Sequence, residues 1–269
     1  MNTAMKYQWM VMIRSKWLVS FAVLFALLSS AVIAGSGHEA TGGFTRSTAA
    51  LLNLSLLLVP LVSLLAGSLF IAGEKEDGRL ALIQTYPISI RSLTLGLYVG
   101  SCISLWTVIA FGYGSASIVL FMTGGTWSTF FFLSFVLTII LTSIFLSIAL
   151  WIGLIASNRL QALGVSLFVW AFFVLFYEFI VLALLSVAPK QWTILLFGLS
   201  IILNPVELMR VWTVAAMKSS TLFGPQLYEW STWAESTGGQ FTFAVIACIW
   251  VIVPLLFMNV WMKRGKHHA

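Results

Sequence analysis

Only 8% of this 269-residue chain is charged, so each ionisable side chain set in or between apolar stretches needs a chemical reason. Three groups stand out. Residues 73–91 gather Glu74, Lys75, Glu76, Asp77, Arg79 and Arg91 between two apolar runs. Glu178 lies alone inside a third run. Glu207 and Arg210 stand three apart behind Asn204-Pro205. None of these forms a catalytic set. There is no G-x-x-x-x-G-K-[ST] loop to cradle a nucleoside triphosphate, no nucleophile elbow and no Cys/His cluster. His38-Glu39 does not open an H-E-x-x-H zinc motif, because Gly42 stands where the second His belongs. Cys102 and Cys248 fall inside apolar spans and read as small packing residues. Met209 and Met217 are soft enough for copper, but with no His or Cys beside them they read as packing. The expectation is no catalytic residue, no metal site and no directly bound cofactor.

The elements that hold these groups follow from composition. Sixty per cent of the residues are hydrophobic and only 8% charged, against about 25% charged in a soluble domain. The chain is read as a single all-α, polytopic membrane domain over residues 1–269, with the lipid bilayer as its surroundings. Its net charge of +6 belongs to residues flanking the spans, as topology requires, and implies no nucleic acid. Six spans are expected, at 17–35, 51–72 (with Pro60 inside), 94–122, 127–156, 163–187 and 241–262. Residues 1–16 read as an interfacial helix, with Met5, Trp9, Met12 and Ile13 on its apolar side against Lys6, Gln8 and Arg14. Residues 192–203 are apolar but too short to cross ~30 Å at ~1.5 Å per residue. Residues 188–240 are therefore expected to form a re-entrant and extracytoplasmic segment. Lys6, Arg14, Lys16, Lys75, Arg79, Arg91, Arg159, Lys263, Arg264 and Lys266 fall on one side, and Arg46, Lys190, Arg210 and Lys218 on the other. The positive-inside rule then makes both termini and residues 73–92 cytoplasmic, in a cell membrane.

Residues 73–92 read as a docking element. Gly78 permits a sharp bend, and acidic residues near a helix start complement its dipole. Leu80, Leu82, Ile83 and Tyr86 offer an apolar face, and Pro87 ends the helix. With no nucleotide loop in the chain, such an element would receive energy from a separate ATPase.

The run Glu74-Lys-Glu76-Asp77-Gly78-Arg-Leu80-Ala-Leu82-Ile-Gln-Thr-Tyr86-Pro87-Ile-Ser-Ile-Arg91 resembles the coupling helix of type-2 ABC permeases, the cytoplasmic loop between their second and third spans. The resemblance implies that this loop fits a cleft in a partner ATPase, which binds the ATP. Asn204-Pro205-Val-Glu207-Leu-Met-Arg210 and the stretch around Glu178 are similar to the NosY-type branch of that family, whose transporters support maturation of nitrous oxide reductase. That likeness implies a homodimer, a NosF-like ATPase and a NosD-like extracytoplasmic partner. It also implies export of a sulfur species, or of copper, for the reductase's copper–sulfide centre.

Two roles fit Glu178. A carboxylate deep in a span costs roughly 2.5–3.5 kcal/mol on insertion scales, so it either lines or gates the path, or is hydrogen-bonded inside the bundle, to a Ser or Trp, and only orders helices. Asn204 as N-cap and Pro205 in the first turn start a short helix. Its Glu207 and Arg210 either cap the extracytoplasmic exit or form an ordinary surface pair. Two other functions suit the same residues: a type-2 exporter of drugs, lipids or polysaccharide, and a secondary transporter using Glu178.

Overall fold

The computed structural model describes residues 2–35, 46–80, 82, 89–124, 129–189, 192–217 and 228–265. Tyr86, Pro87 and the His38-Glu39 pair lie outside the described residues. The described residues form eleven α-helices and one π-helical turn, with no strand among them. They are α1 (Asn2–Ile13), α2 (Lys16–Gly35), α3 (Arg46–Glu76), α4 (Ile90–Met122), α5 (Thr129–Ile155) and α6 (Arg159–Ala171). The π turn (Phe172–Phe176) joins α6 to α7 (Tyr177–Val187), and α8 (Thr193–Leu203), α9 (Pro205–Ala216), α10 (Tyr228–Glu235) and α11 (Thr237–Gly265) follow.

Six of these rods, 20 to 33 residues long, are long and apolar enough to cross a membrane: α2, α3, α4, α5, the continuous run Arg159–Val187, and α11. Helix is the only open-ended way to satisfy every backbone group in lipid. The spans overrun their sequence-read ends where polar residues continue the helical hydrogen bonding. The second runs on through Glu76, and the sixth begins at Thr237. The short apolar piece is α8. It and α9 form a pair bent by 113°.

At the centre, α3 packs along α5, with α6 and α2 on its flanks. α4 packs on α1, α2 and α5, and α11 lies on α5. Small residues set these distances. A Cβ on Gly153 would come 2.5 Å from the Ser68 carbonyl oxygen, and one on Gly112 would come 2.2 Å from the Phe25 ring. The Ser68 and Ser166 hydroxyls, 2.7 Å apart, tie α3 to α6. Proline is tolerated where another side chain takes its orphaned carbonyl. Pro254 cannot donate to Trp250, and Ser147 Oγ donates to that oxygen at 3.3 Å.

The N-terminal helix departs from its sequence reading. Gln8 is fully buried and donates through Nε2 to Ser101 Oγ on α4 at 2.7 Å. Its neighbour Trp9 is exposed. The helix presents a polar residue inward because Gly100 leaves room there. A Cβ on Gly100 would lie 2.7 Å from the Gln8 Cβ.

Candidate functional site

Two clusters of charge occupy opposite ends of the bundle. Alternation of the spans puts the end of α3, the α5–α6 turn and α1 at one end, here the near end. The pair α8–α9 follows the far end of α7.

At the near end, α3 ends at Glu76 and the chain turns at Gly78, whose φ of 74° glycine adopts without strain. Gly78 N donates to Lys75 O at 3.1 Å, and Leu82 N donates back to Gly78 O at 3.2 Å, opening the next helical turn. Glu74 and Glu76 therefore sit in the last turn of α3, not near a helix start. There the dipole opposes carboxylates, and cations from within the chain offset it. Arg79 pairs with Asp77 and lies 3.4 Å from the buried Glu74. Lys75 Nζ donates to Leu154 O at 3.0 Å and Ala156 O at 2.8 Å, capping the end of α5.

Arg159, the first residue of α6, was singled out by nothing in the sequence beyond its charge. Its Nη2 donates to both Asp77 carboxylate oxygens at 2.9 Å. Its Nε lies 3.4 Å from Glu76 Oε2, and its backbone N–H donates to the same oxygen at 3.3 Å. Gly73 makes room for it, since a Cβ there would sit 2.9 Å from the Arg159 Nε. The hydrogen bond from Arg79, with the nearby Arg159 charge, holds the Asp77 carboxyl below the usual carboxylate range against some desolvation. The sequence could have signalled this joint. Asn158 caps α6 by accepting from Gln161 N at 2.8 Å, which leaves Arg159 in the first turn, where the dipole disfavours a cation unless acids lie close.

Of the expected apolar face, Ile83 and Tyr86 lie outside the described residues, and Leu80 and Leu82 differ. Leu80 is buried among Ile71, Leu93, Leu97, Leu150, Leu154 and Met258, because the chain turns back over the bundle at Gly78. Leu82 is 62% exposed. Arg91 is exposed in the first turn of α4, which Ser89 caps by accepting from Ser92 N at 3.2 Å.

At the far end, the structure brings together residues read apart in the sequence. Arg210 Nη1 on α9 bonds Glu178 Oε1 on α7 and lies 3.0 Å from Glu207 Oε1. The partner of Glu178 is thus a guanidinium rather than a Ser or Trp. Glu178 lies about 13 Å along the axis from the end of α7 at ~1.5 Å per residue. Asn204 fixes the approach. Its Oδ1 accepts from Val206 N at 2.8 Å, and its Nδ2 donates to Phe173 O at 2.8 Å. That carbonyl is available because the π turn sends Tyr177 N to Phe172 O. Tyr177 Oη donates to Ser200 O at 2.8 Å, fastening α7 to α8. Pro205 begins α9 in its first turn, and Asn204, Pro205 and Val206 are all buried.

Within the triad Arg210 hydrogen-bonds Glu178, while its contact with Glu207 is ionic. Among the described residues Glu207 Oε1 and Arg210 Nε have no hydrogen-bond partner, and at 3.0 Å the Arg210–Glu207 contact is Coulombic only. Beside them lies a cavity of ≈ 230 Å³ lined by Tyr177, Glu178, Phe197, Ser200, Glu207 and Arg210. Water takes up about 30 Å³ per molecule, so the cavity has room to solvate both atoms. Met209 and Met217 are buried. Among the described residues no group of three or more His, Cys, Asp or Glu could hold a metal ion.

This architecture has known relatives. Over 226 residues, 79% of this chain and 80% of the other, it is 31% identical to the "Probable ABC transporter permease protein NosY" of Pseudomonas aeruginosa. It is 30% identical to the protein of the same description from Stutzerimonas stutzeri over 231 residues, 77% of this chain and 79% of the other. The family model described as "ABC-2 family transporter protein" matches residues 4–264, which takes in every span and both charge clusters. An all-helical bundle of six membrane-length rods, matched almost from end to end, places this chain in the ABC-2 family of transporter proteins.

Proposed function

We propose that the chain is the permease subunit of an ABC transporter. A separate NosF-like ATPase would drive it, and it would move a sulfur species, or copper, across the cytoplasmic membrane for maturation of nitrous oxide reductase. The observation that carries the reading is the match to two NosY permeases along about four-fifths of each chain, in a sequence with no nucleotide loop of its own. Residues 73–91 are the coupling element. Leu82 and Arg91 are among its exposed side chains that a partner would meet. Residues 188–240 are the re-entrant and extracytoplasmic segment where a NosD-like protein docks, and both termini are cytoplasmic.

The permease works as a homodimer in this reading. Only 6% of the most apolar stretch of Arg159–Val187 is buried within the chain, and Glu178 on it and Arg210 on α9 remain 41% and 36% exposed. Lipid does not tolerate such charges, so a second copy or a water-filled path between copies must cover them. Glu178, Glu207 and Arg210 then gate that path, and Asn204 and Pro205 hold the cap.

Deletion of the gene in its own host tests the function. Nitrous oxide reductase from the deletion strain should lack its copper–sulfide centre and regain it on complementation. A fully assembled centre in the deletion strain would overturn the substrate assignment and favour an exporter of a different compound.

A further inference from the structure

We propose that Arg159 is the positioning residue through which movement of residues 73–79 reaches the Glu178–Arg210 pair at the far end. The inference rests on the permease reading, because it needs an ATPase that moves the loop.

The linkage is mechanical. Arg159 begins a helical rod that runs without a break through the π turn to Val187. Its guanidinium and its backbone N–H are both held by the last turn of α3 and the residue after it, through Glu76 and Asp77. Lys75, on the same turn, holds the end of α5. One helical turn therefore grips both sides of the α5–α6 turn. A displacement of α3's end displaces the start of α6 with it. Between Arg159 and Glu178 the rod spans ~28 Å at ~1.5 Å per residue. It touches α3 along one side through Ser166 and through Trp170 Nε1, which donates to Leu57 O at 3.0 Å. Phe173 also touches Phe145 on α5 and Trp250 on α11, and with only 6% of the rod's most apolar stretch buried, little packing inside one copy opposes a shift. At its upper end the rod meets α8 and α9 through three contacts: Tyr177 to Ser200, Phe173 to Asn204, and Glu178 to Arg210. A shift of the rod changes the last of these directly.

The test uses the full complex with its cognate ATPase in lipid nanodiscs. Spin labels go on Leu184→Cys and Leu195→Cys, both exposed, in a Cys102→Ser/Cys248→Ser background. The α7–α8 distance should change on ATP binding by on the order of 2–5 Å. Arg159→Gln should abolish that change while the ATPase stays bound, and Arg159→Lys, which keeps the charge, should restore much of it. A purely structural role would lower the melting temperature and leave the ATP-dependent shift intact; that result overturns the inference. If Arg159→Gln does not assemble, Asp77→Asn gives the same reading with Arg159 in place, and a full shift there also overturns it. If no ATPase associates with the unmutated chain, the permease reading fails first and takes the inference with it.

Discussion

Arg210 reaches Glu178 from a different helix, 32 positions on in the chain, and places Glu207 on the same guanidinium. Two carboxylates share one cation, beside a cavity of mixed polar and apolar lining. Removing the cation should therefore be worse than removing the pair. Arg210→Gln leaves two carboxylates facing each other and should cost about 3 kcal/mol, near the low end for breaking a buried pair because these side chains are partly exposed. Glu178→Gln/Arg210→Gln should recover more than half of that loss. Thermal unfolding of the purified chain in nanodiscs measures both, and a double variant no more stable than the single one contradicts the pairing.

The function of Glu178 separates from its stability role in Glu178→Gln. Glutamine keeps the shape and can still accept from Arg210. The variant should assemble with its partners yet fail to mature nitrous oxide reductase, scored by the copper–sulfide absorption of the purified reductase. Normal maturation would leave Glu178 with an ordering role only.

Asn204 does two things that substitution can split. Asn204→Ser keeps an N-cap acceptor for Val206 N but loses the donor to Phe173 O, at about 1 kcal/mol. Asn204→Ala loses both, at about 2 kcal/mol. Unfolding midpoints should fall in that order, and hydrogen exchange at the π turn should rise in both variants. Equal midpoints for the two would contradict the split.

Close helix contact predicts opposite outcomes at two glycines. Gly112→Ala drives a methyl into the Phe25 ring and should cost about 1–3 kcal/mol. Gly164→Ala meets nothing within 4 Å and should be neutral or stabilising by up to about 1 kcal/mol. Melting curves of the two single variants decide this.

Asp77 gives the near-end joint a pH dependence. Its carboxyl is held below its ordinary value of 3.8, first by the hydrogen bond from Arg79. A lowered folded value means the stabilisation is present above pH 3.8 and is lost as pH falls through the lower, folded value. Between pH 7 and 5 the joint should be unaffected. Below about pH 4, backbone exchange at residues 157–162 should rise more in the natural chain than in Asp77→Asn, which has no such carboxyl to titrate. Parallel curves would contradict the assignment.

The spans were legible in sequence because lipid-facing and interior residues are both apolar, so uninterrupted runs mark them whatever they pack against. The start of α9 was legible too, since Asn204-Pro205 carries its own cap chemistry. What pairs with what was not. The Glu178–Arg210 contact depends on a 113° bend between α8 and α9 that no local pattern encodes. The available signal was indirect: a carboxylate inside a span needs a cation, and Arg210 is the cation that follows the N-capped turn. Leu80 was read as outward and is buried, because alternation along residues 80–86 does not reveal which side the chain folds back on after Gly78. Gln8 was read as outward for its polarity, while the space beside Gly100 draws it in.

The claim on which the rest depends is that residues 73–91 receive work from another subunit. A photo-crosslinking amino acid at Leu82, activated in intact membranes, tests it most directly. The account predicts a covalent adduct to an ATP-binding subunit, lost when that subunit is deleted. No adduct, together with transport that runs on a proton gradient without any ATPase, would contradict it.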